Sequence, residues 1–301
     1  MKCSPKPFIK WAGGKGQLLT QIDEKLPAII KNNEFSYIEP FVGGGAMLFY
    51  MLQRYPHIRH VTINDINQHL VIAYRNIKEN PDSLIEELSK IENEYKSLSS
   101  EESMKDYFLS MRKVFNSRNL TSIEDTALLI FLNRTCFNGL YRENSKGEFN
   151  VPFGRNANPQ ICNSDLIYAN SELLNRYDVN ILCGDYTQTE NYLMDGVNFI
   201  YFDPPYRPLS STSSFNTYVK EPFNDDEQKR LAEYCIRLNQ RDNCLWMLSN
   251  SDGKSKDEND DFFDKLYADF IIERVWAKRS VNAKADKRGK LTELLIHNYN
   301  L

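Results

Sequence analysis

The run Val197-Asn198-Phe199-Ile200-Tyr201-Phe202 stops abruptly at Asp203-Pro204-Pro205-Tyr206. A short, mostly apolar run closed by a stiff proline turn reads as a buried strand with its end residues held in place. Comparable runs occur at residues 36–40, 60–63, 179–182, 244–248, 271–276 and 293–298. The first leads into Gly43, Gly44 and Gly45 and then an apolar helical run from Ala46 to about Gln53. Strand, glycine turn, helix and strand open a doubly wound α/β sheet. A further helix is expected from Asp225 to about Asn239.

Between the second and third strands the period changes. Leu84, Leu88, Ile91 and Tyr95, then Leu128, Leu129 and Leu132, recur at helical spacing from about Asn67 to Asn133. Residues 137–159 are rich in Asn, Gly and Arg, with a short hairpin expected around Lys146-Gly147. The expected organisation is one α/β domain, residues 1–66 and 166–301, split by a mostly helical insertion at 67–165.

The strand ends are where an open α/β sheet binds ligands. Glu39-Pro40-Phe41-Val42-Gly43-Gly44-Gly45 is a glycine turn that lets backbone approach a ligand. It is also compatible with an ordinary turn. The dinucleotide fingerprint GxGxxG fails at Leu48, and the P-loop pattern fails because Ile9 and Gly16 flank Gly14-Lys15. Asp65 stands 22 residues after Gly43, where an acidic side chain commonly accepts ribose hydroxyls. It could equally cap a helix starting near Ile66. In Asp203-Pro204-Pro205-Tyr206 a carboxylate and a proline carbonyl can accept both N–H bonds of an exocyclic amine. That draws the amine lone pair out of conjugation, while Tyr206 stacks on the flat base. The plain alternative is a strand-terminating Pro-Pro turn.

These segments resemble the Dam-type DNA adenine-N6 methyltransferases. The match includes Phe8-Ile9-Lys10-Trp11-Ala12-Gly13-Gly14-Lys15, the 39–45 turn, Leu132-Asn133-Arg134, Phe137-Asn138-Gly139-Leu140-Tyr141-Arg142, residues 147–155, and Asp203-Pro204-Pro205-Tyr206 with Pro208-Leu209-Ser210. The resemblance implies a Rossmann-like methyltransferase sheet, S-adenosylmethionine as donor (S-adenosylhomocysteine as product) and adenine in double-stranded DNA as acceptor. By this likeness Trp11, Lys15, Glu39, Phe41, Gly43, Asp65, Asp185 and Asp203 line the donor pocket. Asp203, Pro204 and Tyr206 are the catalytic group. The insertion is the target-recognition domain, similar in residues 134–155 to enzymes acting on GATC. Phe137 and Asn138 then work where the adenine leaves the duplex, Leu140, Arg142 and Pro152 read neighbouring bases, Lys10 meets the first guanine, and Arg134 and Asn150 belong to the same DNA-binding segment.

Two alternatives stay open. A cytosine-N4 enzyme shares the amine logic but commonly has Ser where Asp203 stands, and a silent DNA-binding homologue would not need Asp203, Tyr206, Lys15 and Asp65 intact. A cytosine-C5 enzyme needs a Pro-Cys nucleophile, and the chain has no such dipeptide.

A formal charge of −4 speaks against DNA only as a total, and it is an average. Residues 274–290 hold seven Lys and Arg against one Asp, whereas 82–106 hold eight acids against three Lys. A locally basic face matters more than the total, and Arg279, Lys284 and Arg288 are expected to clasp phosphates. The scattered cysteines and four His suggest reduced packing thiols and no metal. No apolar run spans a bilayer, and residues 1–5 lack a signal-peptide core. The expectation is a cytoplasmic, prokaryotic or phage-encoded monomer.

Overall fold

The computed structural model describes residues 3–156, 158–209, 223–277 and 291–301. Each expected strand is present: β1 (Phe35–Glu39), β2 (Ile58–Asp65), β3 (Asp178–Cys183), β4 (Asn198–Phe202), β5 (Cys244–Ser251), β6 (Ile271–Ala277) and β7 (Leu291–His297). They form one sheet in the order β3-β2-β1-β4-β5-β7-β6. The first five in that order run parallel to one another, and β7 runs antiparallel between β5 and β6. The sheet is thus a mixed, mostly parallel α/β sheet, consistent with the Rossmann-like sheet that the resemblance implies.

Alternation along the central strands sends side chains to two separate cores. Two short helices, α1 (Leu19–Glu24) and α2 (Ala28–Asn32), precede β1. Tyr37 of β1, Phe199 and Tyr201 of β4, and Met247 of β5 pack on one face with α3 (Ala46–Arg54) through Met47, Leu48 and Met51. Ile38, Ile200, Phe202, Trp246 and Leu248 pack on the other with α9 (Asp225–Leu238) through Leu231, Tyr234 and Cys235. Strands buried on both faces read as continuous apolar runs, which is why they were visible in the sequence.

The segment after β2 is helical: α4 (Gln68–Glu79), α5 (Pro81–Lys96), α6 (Glu101–Asn116) and α7 (Ser122–Thr135), followed by α8 (Ser164–Asn175). Helix α7 is buried on nearly every side and is the post against which α4, α5 and α6 pack. Capping boxes start α6 at Ser100 and α7 at Thr121, a device worth about 1 kcal/mol each. Helix α4 also rests on β2 and β3, so the helices and one face of the sheet share a single buried cluster. The expected hairpin is a pair of isolated antiparallel bridges, Glu143 with Phe149 and Cys136 with Phe153. All six cysteines are free thiols, and Cys183 is exposed rather than packed. Among the described residues no helix is long and apolar enough to cross a membrane.

Candidate active site

The glycine turn after β1 is held by side chains from β2 and α4. Gly43 and Gly45 have φ of 49° and 77°, in the left-handed region that favours glycine. A Cβ on Gly45 would lie 2.4 Å from the Tyr74 hydroxyl, and that hydroxyl donates to the Gly43 carbonyl at 3.0 Å. The Gly43 amide donates to Asp65 Oδ2 at 3.0 Å, and the Asn67 amide to Oδ1 at 2.8 Å. Asp65 therefore ties two strand ends together. The α4 cap is Asn67, whose side chain accepts from the Leu70 amide at 3.1 Å. Burial pushes the Asp65 carboxyl up, against the pull of those backbone amides.

Trp11 lies against the same turn, since a Cβ on Gly43 would come within 3.0 Å of its ring. Its other neighbour is Tyr141, stacked at 5.0 Å and 28°. One indole thus joins the turn after β1 to the loop after α7. Glu39, at the end of β1, is 2% exposed and accepts from the Tyr37 hydroxyl at 2.8 Å. Burial drives its carboxyl well above the usual range, with Asp203 and Asp65 adding to the rise.

Asp203 follows β4 directly. Its Oδ1 accepts from Lys15 Nζ at 2.7 Å and from Ser249 Oγ at 3.0 Å, and Ser249 in turn accepts from the Tyr201 hydroxyl at 3.1 Å. Burial raises the Asp203 carboxyl, and Lys15 and Ser249 oppose the rise. Lys15, itself 4% exposed, also donates to the Gly13 carbonyl at 2.8 Å and lies 4.3 Å over the Tyr206 ring. The Tyr206 hydroxyl donates to Glu293 Oε2 at 2.6 Å. Gln228 Nε2 donates to the Pro205 carbonyl at 3.0 Å, so that oxygen is engaged. The Pro204 carbonyl accepts nothing from the described residues. Arg207 locks the next step of the chain by pairing with Asp225 at 2.8 Å and Asp260 at 2.7 Å.

At the end of β3, Asp185 pairs with Arg230 at 2.8 Å and accepts from the Thr187 amide at 3.0 Å. Burial would raise its carboxyl, but Arg230 and Thr187 hold it below the usual range. Phe41 packs on Tyr186, with ring centroids 5.1 Å apart. Glu39, Asp65 and Asp203 form an acidic set with Lys15 as the cationic head among them. Such a set suits a ligand that is itself largely cationic where it enters.

The residues expected on the DNA side fall into two groups. Phe137, Leu140 and Pro152 are exposed, and so is Asn138, which has a φ of 57°. The Phe137 amide donates to the Pro152 carbonyl at 2.9 Å, placing the two side by side. Arg142 Nε donates to Asn150 Oδ1 at 2.7 Å, so Asn150 orients the guanidinium. Lys10 is exposed, and its backbone is pinned to Asn133 in both directions at 2.9 Å. Arg134 instead turns inward: it donates to the Phe8 carbonyl at 2.6 Å, and its Nε is buried without a partner among the described residues. Arg279, Lys284 and Arg288 lie outside the described residues. Ser249, Glu293, Tyr74, Gln228 and Arg207 were not singled out from the sequence. All but Arg207, which directly follows Tyr206, come from elements distant in the chain, whereas Tyr37, two residues before Glu39 on the same strand face, could have been found by strand alternation. Among the described residues no group of three or more His, Cys, Asp or Glu could hold a metal.

Residues 11–281 match the family model for D12 class N6 adenine-specific DNA methyltransferases. The chain is 50% identical over 298 residues to the type II methyltransferase M.MjaIII of Methanocaldococcus jannaschii, covering 98% of this chain and 99% of that protein. It is 39% identical over 301 residues to the type II methyltransferase M1.LlaDCHI of Lactococcus lactis subsp. cremoris, covering 99% and 97%. It is 30% identical over 291 residues to the DNA adenine methylase of Escherichia coli strain K12, covering 96% and 94%. With matches of this length on both sides, the chain belongs to the D12 class of N6 adenine-specific DNA methyltransferases, S-adenosylmethionine-dependent enzymes acting on DNA.

Proposed function

We propose that this enzyme methylates N6 of an adenine extruded from duplex DNA, within GATC, and that residues 67–165 carry most of the target reading. The observation that supports this reading best is the assembly at the end of β4. A half-buried carboxylate, a proline carbonyl with no partner among the described residues, and an aromatic ring stand together beside the glycine turn.

The acidic set fits the donor, whose sulfonium and ammonium would offset the desolvated charges of Glu39 and Asp203. When bound, the donor supplies an electrophilic methyl group in the pocket formed by Trp11, Lys15, Glu39, Phe41, Gly43, Asp65 and Asp185. Asp203 Oδ2 and the Pro204 carbonyl accept the two N6–H bonds. The nitrogen lone pair, no longer shared with the ring, forms the new N–C bond as the carbon–sulfur bond breaks. The surplus proton leaves N6 along the hydrogen bond to Asp203 and passes to solvent. Tyr206 holds the ring plane. Extrusion is required because a stacked base cannot reach such a pocket.

On the duplex, Phe137 fills the space left by the base, with Asn138 beside it. Arg142, oriented by Asn150, is suited to a bidentate contact with guanine O6 and N7. Leu140 and Pro152 add apolar contacts, and Lys10 meets the outer guanine. Arg279, Lys284 and Arg288 complete the phosphate contacts. Arg134 serves this surface indirectly, by bracing the Phe8 carbonyl beneath it. A companion restriction nuclease fits the likeness to the two type II methyltransferases.

The test is transfer of labelled methyl groups to defined duplexes followed by nucleoside analysis. The reading expects N6-methyladenine in duplexes containing GATC. Label in N4-methylcytosine, or equal transfer to duplexes lacking GATC, would overturn it.

A further inference from the structure

Lys15 occupies the seat a flipped base would need. Its ammonium head is held by a carboxylate, a backbone carbonyl and an aromatic face: Asp203 Oδ1 at 2.7 Å, the Gly13 carbonyl at 2.8 Å and the Tyr206 ring at 4.3 Å. A base stacked on Tyr206 and hydrogen-bonded to Asp203 uses two of those three surfaces. Asp203 Oδ2 accepts nothing from the described residues, so the obstruction is at the ring face, where Nζ sits. The base and the lysine cannot occupy that face together.

The surroundings say what could move the lysine. Glu39 is acidic and close enough to Asp203, Asp65 and Lys15 to feel the charge of each. A donor bearing an amino-acid carboxylate brings an anion into this acidic set, and Lys15 is the cationic head within it. The segment carrying Lys15 has room to yield: Gly13, with a φ of 80°, and Gly16 look onto open space, with nothing within 4 Å of a Cβ at either position.

We infer that Lys15 makes base entry depend on donor entry: without donor its head covers Tyr206, and the donor's carboxylate draws it off, opening the face to adenine. The inference rests on the proposed adenine-flipping function. It adds an order of binding, donor before flipped base, and a residue that enforces it. Lys15 thereby has two alternating partners, Asp203 and the donor carboxylate, instead of a fixed place in either pocket.

The experiment first identifies a duplex that accepts methyl groups, then replaces the accepting adenine with 2-aminopurine, whose emission rises on leaving the stack. Wild-type enzyme without donor should leave emission low, and S-adenosylhomocysteine should raise it several-fold. Methylthioadenosine, which fills the nucleoside site but lacks the carboxylate, should leave it low. Lys15→Met should give high emission with no donor present, and Lys15→Arg should retain the dependence. Methylthioadenosine raising wild-type emission as much as S-adenosylhomocysteine overturns the inference, as does a wild-type signal already high without donor. These two arms need no variant and decide the matter if Lys15→Met fails to fold. Unchanged donor dependence in a folded Lys15→Met also overturns it. Absence of any methyl-accepting duplex would instead defeat the functional reading beneath it.

Discussion

The Tyr206 hydroxyl donates to Glu293 Oε2 at 2.6 Å, joining the residue after the proline turn of β4 to β7, the antiparallel strand two places away in the sheet. Ring position is therefore set from two sides: by the stiff Pro204-Pro205 backbone and by a carboxylate on a rigid strand. The stacking surface is part of the sheet framework and does not depend on a loop.

Removing the ring should cost the stacking energy of one base, about 1–3 kcal/mol, or roughly 5- to 150-fold in kcat/KM for Tyr206→Ala. Tyr206→Phe keeps the ring but loses the tie to Glu293, so its loss should be much smaller and appear mainly in kcat. Steady-state kinetics on a fixed duplex separates the two. Equal losses in both variants would mean that the hydroxyl, and not the ring, is what matters.

Asp203 should govern the acid side of the pH profile. Burial raises its carboxyl above the ordinary value, so the accepting form is lost at a higher pH than for an exposed aspartate. As pH falls through that raised value, kcat/KM should drop. Ser249 donates to the charged form and pulls the value down. Ser249→Ala should therefore move the falling limb to higher pH, while a shift to lower pH would reject the assignment. Asp203→Ala should abolish turnover while leaving much donor binding, measurable by calorimetry.

How much of this was readable before the fold was known varies with distance along the chain. Strands buried on both faces announce themselves as apolar runs, and the acidic residues at their ends were visible as a set. The antiparallel placement of β7 between β5 and β6 was not, because it depends on long-range pairing that no local pattern encodes. Ser249 and Glu293 belong to the site for the same reason: they meet Asp203 and Tyr206 through strands 46 and 87 residues further on. Arg134 shows the opposite limit. A basic residue at the end of a helix, before a segment thought to touch DNA, looks like a phosphate contact. Yet α7 is buried on nearly every side, so the guanidinium bonds a carbonyl inside the protein.

Glu39 should trade stability for function. Its folded-state value is raised by burial, so its contribution to stability is full below the unfolded value and is lost as pH rises through the folded one. At neutral pH the group is a net burden, relieved only partly by the Tyr37 hydroxyl. Glu39→Gln keeps the shape and removes the charge. It should stabilise the ligand-free protein by about 1–3 kcal/mol and flatten the stability–pH curve above the ordinary carboxylate range. The same change should weaken donor binding. Urea titrations at two pH values test the first point, and lower stability at neutral pH in the variant would contradict it.

Arg142 and Asn150 form a reader and its holder, and they should fail differently. Arg142 Nε is held by Asn150 Oδ1 at 2.7 Å and an outer nitrogen donates to the Asn150 carbonyl at 3.4 Å, so Asn150 sets the direction of the guanidinium. Arg142→Ala should remove about 1–3 kcal/mol of discrimination at one base pair, leaving other positions and the salt dependence of binding little changed. Asn150→Ala keeps the guanidinium but frees its orientation, so discrimination at that same base pair should fall by less. Methylation rates on duplexes with single substitutions across the site would reveal the pattern. If Arg142→Ala weakened all sequences alike and lowered the salt slope, the residue would be a phosphate contact, and the source of base discrimination would have to lie elsewhere in the loop after α7.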